Sequence, residues 1–157
     1  MARKTYPAKS RDAFSDVNLG IRVDRASATV PQTATQAIFN VVGGRVVVNA
    51  IVGQVTTIFG AVGNINLVST PSTGGAVNDM STAVAGGSTA LYSLISITGV
   101  PGDNTVIGGC GSVQTMDRPV IVQVGAIGFK TSASSTGAIK WTIAYLPLDD
   151  GAYVTAA

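Results

Sequence analysis

The residues best suited to chemistry in this chain are two adjacent carboxylates, Asp149 and Asp150, in the stretch WTIAYLPLDDGAYVTAA. Paired carboxylates can act as acid and base on a sugar or hold a metal ion. Neighbours on an extended strand point to opposite faces, so these two do not converge on one substrate. After Pro147, Asp-Asp-Gly suits a turn, in which an Asp side chain bonds nearby backbone and Gly151 takes a positive φ. The expectation is a structural turn, with a salt bridge to another subunit as the second reading and catalysis or metal binding as the last.

The other reactive groups are sparse. The chain has no His and no Glu, which removes the commonest general base and one of the two catalytic carboxylates. Cys110 is the only cysteine, so an intrachain disulfide and a multi-Cys metal site are ruled out. The glycine runs GGCG and VVGGR lack the Gly-Lys-Ser/Thr of a phosphate loop. Asp79, Asp103 and Asp117 stand apart beside turn-type residues, and no window alternates carboxylates as a calcium loop does. Lys130 and Lys140 fall in strand-like runs with no motif to pair them with a serine nucleophile. No catalytic, metal-binding or cofactor-binding residue is expected, and no small-molecule substrate.

Composition points the same way. Of 157 residues 46% are hydrophobic and only 11% charged, against roughly 25% charged in an ordinary soluble domain. Val, Ile and Thr dominate, and branched side chains fit a pleated surface. A chain so poor in charge is expected to bury much of its surface on other subunits. The N-terminus has no apolar core of a signal peptide, and the longest apolar stretch, Val46 to Phe59, is too short and too polar for a membrane helix.

Residues 1–28 differ from the rest. They hold six of the ten basic residues, Arg3, Lys4, Lys9, Arg11, Arg22 and Arg25, against three of the eight acids. They read as a basic, flexible N-terminal arm, with Val17 to Val23 alternating enough to pair as a strand. The cations, with Tyr6, form the expected contact set for an acidic partner surface. Interspersed acids and few aromatics make nucleic acid a poor partner.

The body is expected over 29–157 as about eight strands divided by turn signals, with no helical period: an all-β, jelly-roll-like sandwich. TQAIFNVV and RVVVNAIVGQVTTIF read as a hairpin about Gly43-Gly44, with Gly53 marking a bulge or bend. RPVIVQVGAIGFKT and GAIKWTIAYLPL read as a second hairpin about Ser132–Thr136. In the last of these runs Ile139, Trp141, Ile143 and Tyr145 share one face, with Trp141 and Tyr145 its anchors. Ala152 to Ala157 forms a short uncharged tail, apolar enough to pack on its own body or on a neighbour.

Two stretches carry a resemblance. Pro31-Gln32-Thr33, Ile38-Phe39-Asn40-Val41 and Gly43-Gly44, together with Gly137 through Ala157, resemble small virion proteins of tailed bacteriophages; residues 64–118 match only as generic β-sequence. What the resemblance implies is a structural role without catalysis. The expectation is a decoration, or cement, protein on the outside of a phage capsid, made in the host cytoplasm. Its expected partners are the major capsid protein and further copies of itself, as a trimer. A tail or head-fibre component, or a module that binds the host surface or its glycans, is the alternative. Neither a membrane nor a cofactor is implied.

Overall fold

A computed structural model describes residues 19–157. The strands in chain order are β1 (Ile21–Thr29), β2 (Thr35–Val42), β3 (Val46–Thr57), β4 (Asn64–Pro71), β5 (Asn78–Asp79) and β6 (Val84–Ala85). They continue with β7 (Ser93–Ser96), β8 (Val106–Cys110), β9 (Val120–Val122), β10 (Gly125–Thr131), β11 (Ala138–Pro147) and β12 (Tyr153–Ala156). Among the described residues there is no helix.

The strands form two antiparallel sheets. One runs β1-β11-β3-β7-β8, with β9 also on β3; the other runs β12-β2-β10-β4-β5, with β6 also on β4. The chain changes sheet from β1 to β2, β2 to β3, β3 to β4, β6 to β7, β9 to β10, β10 to β11 and β11 to β12. Such repeated crossing between two facing sheets makes the sandwich jelly-roll-like.

That crossing corrects both expected hairpins. β2 and β3 lie in different sheets, so Gly43-Gly44 turns the corner between them. Ser132–Thr136 likewise carries the chain from β10 to β11, across the sandwich. The run expected as one strand over 118–131 is split into β9 and β10, which also belong to different sheets. The body reaches back to Ile21: β1 pairs with β11 from Ile21↔Tyr145 to Thr29↔Ala138, with a bulge between Arg25 and Ala28.

Alternation makes the core. Ile139, Trp141, Ile143 and Tyr145 of β11 are buried, whereas Lys140 and Leu146 are exposed. Trp141 meets Phe129 of the opposite sheet with ring centroids 5.2 Å apart and a 58° tilt, a favourable aromatic geometry. Gly53 stands directly opposite Trp141. A Cβ at Gly53 would lie 2.8 Å from the indole and 2.6 Å from Ile139 Cδ1. Gly53 therefore makes room for the tryptophan; the pairing of β3 with β11 is irregular at Ala138/Ile139 and Ala144/Tyr145 instead. The indole N–H of Trp141 is buried and finds no acceptor among the described residues.

The irregular stretch after β4 is held by buried polar groups. Asn66 Nδ2 donates to Asp79 Oδ1 at 2.8 Å, and the hydroxyls of Ser81 and Thr105 lie 2.7 Å apart. The hydroxyls also reach the backbone of β4, where Ser81 Oγ accepts from the Leu67 amide at 3.3 Å and Thr105 Oγ1 donates to the Ile65 carbonyl at 3.4 Å.

Candidate functional site

The expected site residues Gly43, Gly44, Asp149, Asp150 and Gly151 come together in one place. The corner after β2 packs against the turn between β11 and β12. A Cβ at Gly43 (φ +77°) would lie 2.3 Å from the Gly151 carbonyl oxygen, and one at Gly44 would lie 2.7 Å from Asp149 Cβ. Only glycine permits that approach together with the left-handed backbone at Gly43. Gly151 has φ +78°, and the Ala152 N–H donates to the Asp149 carbonyl at 3.1 Å, closing the turn.

Arg45, the residue after the corner, is held by Asp149. Its backbone N–H and Nε donate to Asp149 Oδ2 at 2.7 and 2.9 Å, and Nη2 donates to Oδ1 at 2.7 Å. The Leu148 and Asp149 amides donate back to the Arg45 carbonyl at 3.0 and 3.3 Å. The Arg45 guanidinium, then its amide, holds the Asp149 carboxyl down to about 2. A carboxylate gripped on both oxygens by a bidentate arginine has no free base character to offer. Asp150 is exposed beside it. The two acids therefore play different parts, since one is a latch within the chain and the other faces solvent.

The remaining acids are also dispersed. Asp24 pairs with Arg22 and accepts from Thr142 Oγ1 at 2.6 Å; the arginine first, then the threonine, lowers its pKa. Asp103 accepts from Thr98 Oγ1 at 2.8 Å in the Pro101-Gly102 turn, and Asp117 accepts from Gln114 Nε2 at 2.9 Å. Among the described residues no three His, Cys, Asp or Glu side chains gather as metal ligands would. The glycine run expected near Cys110 supplies part of β8, paired with β7. Trp141 and Tyr145 are core residues of β11.

Of the expected arm contacts, Arg3, Lys4, Tyr6, Lys9 and Arg11 lie outside the described residues. Arg22 and Arg25 stand on β1, within the sheet. Arg25 is turned inward, and its Nε donates to the Ala157 carbonyl oxygen at 2.9 Å. Burial lowers its pKa. The side chain thus joins β1 of one sheet to the chain that follows β12 of the other. The Ala152–Ala157 tail pairs on its own body, from Tyr153↔Val42 to Ala156↔Phe39.

A surface that sequence reading did not single out lies at this same end. Leu146, Val47 and Ile121 are direct cross-strand neighbours on β11, β3 and β9. Their flanking residues Tyr145, Val46, Val48 and Val122 are buried, so the three point outward from the sandwich. Ile121 is 61% exposed. Leu19 and Ile21 are exposed at the β1 edge of the same end, where Ile21 stands opposite Tyr145, outside the row itself. On the other side Ile121 borders a depression of about 360 Å³ with Val77, Pro71 and Ala126. A shallower one of about 480 Å³ follows, lined by Val42, Pro71, Gly125 and Ala126. Exposed Leu148 and Tyr153 stand on either side of the Asp149–Gly151 turn. Together they form an apolar girdle around one end of the sandwich. The signal in the sequence is the run of apolar residues at positions that alternation assigns to the outer face.

Neither a family model, nor a curated protein, nor a solved structure matches the chain.

Proposed function

We propose that the protein is a noncatalytic structural component of a bacteriophage virion. Its place is the outer surface of the capsid, where it binds the major capsid protein and steadies the shell as a trimer. The observation that carries this reading is where the two resembling stretches lie. Ile38–Gly44 and the Pro147–Val154 region pack on each other, and Asp149 of the second is consumed in holding Arg45, the residue after the first. What the resemblance marks is thus a built shape, which suits an assembly role better than a reaction. Low charge and an exposed apolar girdle support the same reading, since such surface is normally covered by a partner. The jelly-roll-like sandwich is compatible with it, as that architecture recurs in viral capsid domains, although it also serves lectins and cupins.

Glycan binding is the poorer reading. It favours clustered exposed aromatics, but the exposed Tyr92 and Tyr153 lie at opposite ends: Tyr92 bonds to Val55 and Tyr153 pairs with Val42. Cryo-electron microscopy of the virion tests the proposal. Density fitting this sandwich at three-fold positions of the capsid supports it. Density only in the tail or fibres sinks the capsid assignment, and clearing of cell wall in a zymogram sinks the noncatalytic one.

A further inference from the structure

Apart from any place in an assembly, the chain carries a peptide bond placed to rearrange. We propose that Asp150–Gly151 is a site of spontaneous covalent modification. There aspartate converts to isoaspartate, and the conversion unfastens the turn that the Arg45–Asp149 pair holds.

The chemistry needs only water. The Gly151 amide nitrogen attacks Asp150 Cγ, a carboxyl oxygen leaves as water, and a cyclic imide forms. Water then adds at the Asp150 main-chain carbonyl carbon and breaks its bond to the Gly151 nitrogen. The main chain now runs through Cβ and Cγ of Asp150, one carbon longer than before. The former main-chain carbonyl becomes a free carboxylate, so neither atoms nor charge change overall.

Three observations place the reaction here. First, Asp150 is the one aspartate of the chain that glycine follows, and no asparagine precedes a glycine. A side chain on the following residue would crowd the attacking nitrogen, and glycine has none. A Cβ built on Gly151 would meet nothing within 4 Å, so the turn is open on that side. Second, both reacting groups are uncommitted among the described residues. Asp150 is exposed and its carboxyl has no hydrogen-bond or ion-pair partner there. The Gly151 amide donates to no acceptor there, unlike the amides of Leu148, Asp149 and Ala152. Asp149 is the contrast, since Arg45 holds its carboxyl by both oxygens and the residue after it carries a side chain. Third, the turn has no slack for a longer chain. The Asp149 carbonyl and the Ala152 amide meet at 3.1 Å across just Asp150 and Gly151. Gly43 packs so closely that a Cβ on it would lie 2.3 Å from the Gly151 carbonyl oxygen. An added main-chain carbon displaces that carbonyl or the Ala152 amide, and with them the start of β12.

The test ages the full-length protein for weeks at physiological temperature. Isoaspartate is read with a protein isoaspartate methyltransferase and labelled S-adenosylmethionine, and electron-transfer fragmentation locates it in the chain. Label is expected to accumulate at residue 150. It is expected to be absent from Asp150→Glu, whose longer side chain closes an imide far more slowly. Amide exchange in the aged wild type is expected to rise several-fold around Val42, Arg45 and Tyr153 and to stay unchanged at Thr131. Aged Asp150→Glu is expected to exchange as the fresh variant does. A free peptide spanning 141–157 is the positive control for labelling. Folded wild type that stays unlabelled while that peptide gains label overturns the proposal, because the closed turn then protects the bond. So does label that falls equally on other aspartates, or that persists in Asp150→Glu. Conversion at residue 150 without the local rise in exchange overturns the unfastening.

Discussion

The two ends of the sandwich are closed by different chemistry. At the girdled end a guanidinium grips a carboxylate across the Gly43-Gly44 corner, and leucine, isoleucine and valine surround it. At the far end the closures are neutral. Gln32 Nε2 donates to the carbonyls of Val30 and Ser135 at 2.8 and 2.6 Å, and Thr131 Oγ1 donates to Pro31 at 2.8 Å. The Asn64 amide reaches Ser132 Oγ at 2.8 Å, and that of Gly60 reaches Ser135 Oγ at 2.9 Å. Both ends satisfy backbone groups that a loop would otherwise strand. They differ in the large apolar side chains they leave exposed, which are Ile58 and Tyr92 at the far end and the seven others at the girdled end. Closing the loops therefore does not itself call for an exposed apolar surface, since the far end is closed without one of that extent.

The comparison can be broken in graded ways. The largest effect belongs to neither end. Trp141→Ala empties the middle of the core and is expected to cost about 3–5 kcal/mol, raising amide exchange at both closures together. Trp141→Phe costs far less, because it also removes an indole N–H that has no partner. Denaturant titration separates the two variants.

Next comes Gly43→Val, which meets the Gly151 carbonyl and a left-handed backbone at once. A loss of about 3 kcal/mol is expected, with exchange rising first around Val42, Arg45 and Tyr153. Equal loosening of the far end would show that the two ends are one cooperative unit. Thr131→Val deprives the Pro31 carbonyl of its donor and should cost about 1–2 kcal/mol, with exchange rising at the far end alone.

The smallest effect is electrostatic. The folded pKa of Asp149, about 2, lies below its ordinary 3.8, so its contribution is complete above about pH 4 and is lost as pH falls through about 2. At a surface site that contribution is small. Melting temperature measured across this window should fall more steeply in wild type than in Asp149→Asn, and parallel slopes would remove the latch from the account.

Much of the fold was legible because it is written locally. Alternation placed Ile139 through Tyr145 on one face, and the β-rich composition with its turn signals led to a sandwich. The partners of each strand were not legible. Gly43-Gly44 has the same φ freedom whether the chain folds back beside itself or crosses to another sheet, so a hairpin and a corner look alike in sequence. The same holds for Ser132–Thr136. The tie between Arg45 and Asp149 spans more than a hundred residues and has no local signature at either side. Gly53 misled for a related reason: a missing side chain can signal a bend, or a neighbour that needs the space, and the neighbour, Trp141, comes from β11. At the girdle, Leu146, Val47 and Ile121 become a row only after β11, β3 and β9 are set side by side.

The bearing of β1 has a mechanical consequence. The chain enters it at Ile21, at the girdled end, and the strand runs from there toward the far end against β11. A pull on the chain at Leu19 therefore acts along the strand axis, across the direction of its hydrogen bonds. Those bonds share the load in shear instead of parting one after another, as they would if the strand were peeled from Thr29.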